Sequence, residues 1–361
     1  MKKQPDYILL SVLAIIIVAG VVILASVSAP YALEKFGNSY YFLAHQLLFG
    51  FLPGIVLAIF AFFINLSFLK KIAPLLFLIN LVIMVMVFLP LIGSPHGGAS
   101  RWIGFGSFSF QPAELLKLTS ILYLASLLSA RTEKKESNQI FFVFLAIIGI
   151  ISMLLIWQPN ISTLGVIVFT AFLIYFAAKT PVWHIGLFLL TAAAGLLFLI
   201  KIAPYRFNRF LVFLNPGIDP MGIGYQAKQS LIAVGSGGIK GVGFGMSSQK
   251  LGFLPQSIAD SIFAVFSEEF GFIGAIFLIA LFLIFLLRGF KIAKDAPDKF
   301  SQLAVIGITS WIVIQAFVNI GAMIGILPLT GIPLPFVSYG GSALIMELIG
   351  AGILLNISKQ S

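Results

Sequence analysis

The chain has 361 residues, 60% of them hydrophobic and 9% charged, with a mean hydropathy of +1.10, a balance that exceeds what a soluble globular chain carries and reads as a polytopic membrane protein. The absence of cysteine excludes disulfides, thiolate metal sites and cysteine-based redox chemistry. A net charge of +10 is carried by basic residues set in ones and twos at the ends of apolar spans rather than along a stripe, so nucleic acid is not expected as a partner.

Crossing about 30 Å of hydrocarbon takes roughly 20 apolar residues. The sequence predicts ten such spans: Tyr7 to Ser28, Tyr41 to Asn65, Ala73 to Gly93, Pro112 to Ser129, Ile140 to Trp157, Ser162 to Ala178, Trp183 to Ile200, Ser261 to Leu287, Phe300 to Ile324 and Ser342 to Ile357. The sixth and tenth are short. The first is too long for a cleavable signal and reads as an anchor. With the N-terminus inside, the inner segments hold Lys2, Lys3, Lys70, Lys71, Arg131, Lys134, Lys135, Lys179, Arg288, Lys291, Lys294, Lys299 and Lys359, whereas the short outer loops hold Lys35 and Arg101. That bias predicts cytoplasmic termini. The expected fold is therefore all-α: one membrane domain over residues 1–361 with about ten transmembrane helices. One large extracytoplasmic loop, about 201–260, joins the seventh and eighth spans, and no repeat or soluble domain is visible.

Twelve carboxylates are few enough to sort by position. Asp6, Glu133, Glu136, Asp295 and Asp298 fall in inner segments; Glu34, Glu114, Asp219, Asp260, Glu268, Glu269 and Glu347 lie on the outer side or within spans. An ionisable group at the edge of hydrocarbon must face protein or water, which makes the span-associated acids functional candidates. Glu114 and Lys117, three residues apart in PAELLKL, share a helix face and can pair. They either lock two helices together, or Lys117 joins Arg101 of the preceding loop in binding a phosphate.

The segment from Gly222 to Phe270 is rich in glycine and lightly charged. It contains no GxxxxGK[ST] or GxGxxG string, which argues against a nucleotide site. Its glycines permit tight turns beside the membrane, and GYQAKQSLIAVG reads as a short amphipathic helix suited to a membrane surface. Asp260 follows at the start of the eighth span, where it can meet both water and an amphipathic substrate. The alternative is an N-cap for that helix. Glu268 and Glu269 point in different directions, so at least one is structural. Pro328, Pro333 and Pro335 force non-helical backbone between the last two spans, as tolerated at membrane depth where it lines a cavity, and Ser338 and Tyr339 are expected on the side of Asp260. His45, His96 and His184 are isolated, so zinc is not expected. A loosely held Mg²⁺ or Mn²⁺ bridging a substrate pyrophosphate to one carboxylate, Asp260, remains open.

The strings GASRWIGFGSFSFQPAELLKL, WQPNISTLG, GYQAKQSLIAVGSGGIKGVGFGMSSQKLGFLP, ADSIFAVFSEEFGFIGA and NIGAMIGILPLTGIPLPFVSYGGSALI resemble the SEDS family, the FtsW/RodA/SpoVE proteins, over nearly the whole chain and in the right order. The GYQ and QS of Tyr225 to Ser230 and the opening PDYILL resemble the cell-division branch more than the elongation branch. The resemblance implies a ten-span peptidoglycan glycosyltransferase that polymerises lipid II outside the cytoplasmic membrane. It also implies a class B penicillin-binding protein and other divisome proteins as partners. The family's essential aspartate carries over to Asp260 in LPQSIADSIF, its arginine to Arg101, and its Glu and Lys to Glu114 and Lys117. Asn160, Gln229, Lys250, Ser338 and Tyr339 complete the substrate-binding candidates. Gln256 and Asn160 stand where the family usually has Glu and Asp, which weakens a multi-carboxylate metal site. A lipid II flippase would also want ten spans and membrane-depth charges, and a scaffold that only recruits other proteins is the third reading.

Overall fold

The structure, a computed structural model, describes residues 4–89, 93–96, 99–105, 108–130, 137–178, 180–202, 204–215, 217–219 and 221–360. Of the expected inner cations, Lys2, Lys3, Arg131, Lys134, Lys135 and Lys179 lie outside them. In chain order the helices are α1 (Tyr7–Phe36), α2 (Tyr41–Gln46), a π turn (Leu47–Phe51), α3 (Leu52–Phe63), α4 (Leu66–Met86), α5 (Pro112–Ala130), α6 (Ser137–Trp157), α7 (Ile161–Ala177), α8 (Val182–Ile202), α9 (Pro204–Leu214), α10 (Tyr225–Ser236), α11 (Ile262–Lys294), α12 (Lys299–Met323) and α13 (Gly341–Ser358). Among the described residues eight helices are long and apolar enough to cross a membrane, counting α2 through α3 as one, and Ile161–Ala177 and Trp183–Gly195 are shorter apolar helices. The sixth expected span, α7, is therefore the short one, whereas α8 has 21 residues, Val182–Ile202, and the tenth span has full length.

Two sequence expectations change. The third span begins earlier than expected, at Leu66, because Asn65 caps it by accepting from the amides of Ser67 and Phe68. Gly93 belongs instead to a small antiparallel sheet, β1 (Gly93–His96), β2 (Ala99–Phe105) and β3 (Phe108–Phe110), which follows α4 in the chain and packs against α5 and α13. The expected 201–260 loop is partly helical, since α8 runs to Ile202 and α9 and α10 follow.

Both ends of the chain sit at one end of the bundle. The amide of Asp6 donates to Ser358 Oγ at 3.0 Å, and Arg288 pairs with the Asp6 carboxylate. The innermost helices are α12 and α13. Small residues let α13 approach its neighbours: Gly352 lies against the backbone of Ala58 on α3, the kind of close crossing that membrane bundles use.

Gly271 breaks α11. Its φ of 67° and ψ of −166° separate a short buried helix, 262–270, from the lipid-facing run that starts at Phe272. The backbone groups freed by that break pair with the glycine-rich segment. The amides of Val242 and Gly243 donate to the carbonyls of Glu268 and Glu269 at 3.0 and 3.1 Å. In return, the amides of Phe272 and Ile273 donate to the carbonyls of Gly238 and Ile239 at 2.9 and 3.2 Å. A broken helix beside lipid is stable only when its orphaned groups are satisfied in this way.

The strap between α12 and α13, residues 324–340, reaches well into the bundle. Val337 and the Phe336 carbonyl lie against Gly20, which stands about 20 Å along α1 from Tyr7 at 1.5 Å per residue. Buried polar side chains hold it there. Glu347 accepts from the Phe336 amide at 2.8 Å, and Gln315 donates to the Pro333 carbonyl at 3.1 Å and to Glu347 at 3.3 Å.

Candidate functional site

Asp260 sits in a turn that the Gln256 carbonyl closes by accepting from the amides of Ala259 and Ser261 at 3.0 and 3.1 Å. Ser261 therefore takes the N-cap position of α11, and its hydroxyl accepts from Gln226 Nε2 at 3.1 Å. The N-cap reading of Asp260 is corrected accordingly. Its carboxylate turns toward Gly331 of the strap, where an added Cβ would stand 3.3 Å from Oδ2, and it remains partly exposed.

Three backbone carbonyls around Asp260 are fixed from the strap side. Tyr339 N donates to Ile258 O at 2.9 Å and Ser338 Oγ to Ala259 O at 2.6 Å. Asn319 Nδ2 donates to Asp260 O and to Ile332 O, each at 2.7 Å. Ser338 and Tyr339 thus lie on the side of Asp260, as the sequence suggested. The Tyr339 hydroxyl meets His45 Nδ1 at 2.9 Å, and Gln46, immediately before the π turn, bonds the backbone of Ser338 and Gly340.

Arg209 lies close to Asp260 and was not singled out by sequence reasoning. It extends from α9 and donates to the Leu329 carbonyl at 3.1 Å, two residues along the strap from the glycine facing Asp260. A cleft of about 40 Å³ opens beside it, walled by Val212, Phe213, Leu231 and Leu327. Burial pushes the Asp260 carboxyl above its ordinary value, and the Arg209 guanidinium pulls it back toward the charged form. Of the six basic residues from Lys201 to Asp260, Arg209 lies outside every string that carries the resemblance, so only the folded position of α9 distinguishes it.

Four other candidates are placed differently from expectation. Lys117 is buried between Glu114 and Gln315 Oε1, 2.7 Å from each, with Trp311 beneath it and no room for water alongside. It contacts Gln315, whose side chain bonds the strap at the Pro333 carbonyl, and in this structure it is paired and closed to solvent. Lys250 is buried with Glu269 at 2.7 Å and Ser26 Oγ at 2.9 Å, so it closes a fold contact instead of facing substrate. Arg101 is partly buried and ties β2 to the α6–α7 turn through the carbonyls of Gln158 and Pro159 at 2.9 and 2.7 Å. Gln229 lies partly buried on α10, where Gln226 is the residue that reaches Ser261.

Asn160 is buried in that same α6–α7 turn, its Nδ2 without a hydrogen-bond partner among the described residues. Ser162 Oγ joins the turn to Thr330 O, which brings Asn160 and Arg101 to the Asp260 end of the bundle. Glu268 and Glu269 are both structural: Glu268 accepts from Ser247 and Ser248, and Glu269 from Ser26 and Lys250. No group of three metal-ligating side chains comes together among the described residues.

The site therefore gathers the Asp260 carboxylate, on a partly exposed residue, and the Arg209 guanidinium at neighbouring points of an anchored strap, beside an apolar wall. Comparison with known proteins gives a consistent picture. The FTSW_RODA_SPOVE family model, described as Cell cycle protein, matches residues 6–361. Stage V sporulation protein E of Bacillus subtilis is 39% identical over 361 residues, covering 100% of this chain and 98% of its own. The probable peptidoglycan glycosyltransferase FtsW of Geobacter metallireducens is 39% identical over 360 residues, covering 99% and 96%. Among solved structures, a chain of a peptidoglycan synthase complex that coordinates polymerization and crosslinking superposes with a TM-score of 0.80 at 28% identity over 99% of this chain and 98% of that one. The rod shape determining protein RodA of Thermus thermophilus superposes with a TM-score of 0.71 at 25% identity, over 99% and 97%.

Proposed function

We propose, for a chain that belongs to the FtsW/RodA/SpoVE family, that it is a peptidoglycan glycosyltransferase polymerising lipid II at the outer face of the bacterial cytoplasmic membrane during cell division. The observation that carries this reading is Asp260: a partly exposed residue with its backbone anchored and its carboxylate within the electrostatic reach of Arg209. Relatives named as glycosyltransferases support the activity. The division role rests on the strings around Tyr225 to Ser230 and the opening PDYILL, the elongation role of RodA being the alternative.

In the proposed reaction the Asp260 carboxylate accepts the proton of a sugar 4-hydroxyl as that oxygen attacks the anomeric carbon at the lipid-linked end of the growing strand. The new β-1,4 bond forms as the bond from the anomeric carbon to the phosphate oxygen breaks, and undecaprenyl pyrophosphate leaves with the electron pair. A carboxylate whose pKa burial has raised is a better base than a free one, provided it stays ionised. Arg209 is placed to meet the departing pyrophosphate, a role given to Arg101 and Lys117 on sequence grounds, and the apolar wall beside it suits the start of the lipid tail. A Mg²⁺ or Mn²⁺ here would take Asp260 as its protein ligand and neutralise pyrophosphate charge, with its other positions filled from substrate and water. By analogy with the synthase complex, the expected partner is a class B penicillin-binding protein, with other divisome proteins around it.

The test is a gel assay of glycan polymer made from lipid II by purified protein, with and without its penicillin-binding partner. Asp260→Asn should insert and fold but lose 10² to 10⁴-fold in rate, roughly the contribution of a positioned general base. Full polymerisation by a stable Asp260→Asn protein overturns the assignment. A flippase would move labelled lipid II across vesicles without lengthening it, and a scaffold would do neither.

A further inference from the structure

The glycine-rich segment that pairs with the broken α11 is inside out by the standards of a surface loop in water. Two of its polar side chains are turned inward: Ser247 is 2% exposed and Lys250 6%, docked on Glu268 and Glu269. Its large apolar side chains point outward, with Ile239, Phe244, Met246, Leu251 and Phe253 each more than half exposed. Water-facing loops rarely gather so much exposed apolar surface, and such a patch marks a contact with something apolar.

Two observations identify what covers it. The segment is bonded directly to the top of the lipid-facing run of α11 through the Gly238 and Ile239 carbonyls. Phe272, Ile273, Ile276 and Phe277 continue the same exposed apolar surface down that helix. The patch is therefore the upper edge of the bundle's lipid belt, and not an island separated from it by polar residues. Lys240, exposed beside Ile239, is positioned to reach a lipid phosphate while its neighbours sit among acyl chains.

We propose that residues 239–253 lie in the leaflet at the Asp260 end of the bundle as a non-spanning membrane insertion, with Phe244, Met246, Leu251 and Phe253 among the acyl chains. The buried Lys250–Glu269 pair and the Glu268 contacts are the inward anchors that let a loop with this many glycines hold its apolar side outward. Asp260, seven residues beyond Phe253, is thereby held close to the level of lipid headgroups. The inference concerns membrane contact and does not depend on the reaction proposed above.

Because the chain has no cysteine, single substitutions give unique spin-label sites. Met246→Cys and Phe253→Cys would be labelled in the full-length protein in lipid nanodiscs without any partner protein. Ile276→Cys on the lipid-facing side of α11 and Asp295→Cys in the exposed turn before α12 serve as references. Insertion predicts oxygen accessibility at 246 and 253 close to that at 276, with accessibility to a water-soluble nickel chelate severalfold below that at 295. Nickel accessibility matching residue 295 at both sites overturns the proposal in favour of a water-facing loop. Low accessibility to both reagents also overturns it, since that is the signature of a surface covered by protein.

Discussion

The pair formed by Lys250 and Glu269 offers a quantitative test of how the glycine-rich segment is held. The two charges are 2.7 Å apart, their side chains 5% and 1% exposed, and Ser26 on α1 is the third member of the contact. Lys250→Met leaves the Glu269 carboxylate buried with Ser26 as its remaining side-chain donor. Removing one partner of a buried pair costs about 3–5 kcal/mol, or about 10² to 4 × 10³-fold in an unfolding equilibrium. Glu269→Leu should cost a similar amount by stranding Lys250. The double substitution Lys250→Met with Glu269→Leu removes both charges together and should recover most of the loss, because a well-packed apolar pair of similar volume is about as stable as the ion pair. The assay is thermal unfolding of the purified protein in one detergent, read as monodisperse protein remaining after heating, for the four members of the cycle. Single variants that unfold with the native protein, or a double variant whose loss equals the sum of the two singles, would refute the reasoning.

Burial and Arg209 act on Asp260 in opposite directions, and the base works only when deprotonated, so activity should fall as pH drops through the raised pKa of Asp260. Arg209→Gln removes the opposing charge, raises that pKa further and should move the acidic limb of kcat/KM to higher pH; a limb that stays in place or moves lower contradicts the placement. Gly271→Ala should cost about 1–3 kcal/mol from its backbone conformation alone, and more because the new Cβ would lie 2.7 Å from the Ile239 carbonyl oxygen, whereas Gly165→Ala in α7 has open space and should be neutral or stabilising in the same thermal assay. Asn319→Leu withdraws a donor from Asp260 O and Ile332 O, at about 1–3 kcal/mol for each carbonyl left unpaired; steady-state kinetics on lipid II should show kcat falling more than KM rises.

The spans were legible because lipid demands long apolar runs whatever the packing, and Asp260 because acids are scarce and its surrounding string is specific. The proline-rich strap was legible as broken backbone, though not its depth, which depends on Gln315 and Glu347 reaching it from two other helices. The burial of Lys250 was not legible because its partners, Glu269 and Ser26, are 19 and 224 residues away. Lys117 showed its local partner Glu114, while Gln315, which draws it into the interior, comes from α12. Arg209 carried no signal since the charge rule does not apply to long segments, and the π turn after Gln46 leaves no trace in an otherwise ordinary apolar run.

At Asp260 the neighbouring carbonyls are tied by Tyr339, Ser338 and Asn319, while no other side chain among the described residues bonds the carboxylate itself. Architecture and reactivity are thus assigned to different atoms of one residue. Proton uptake at the oxygens touches none of these tethers, so a change of protonation there does not by itself loosen the turn that presents the acid. Selection can tune its basicity through what lies along the strap without renegotiating the fold.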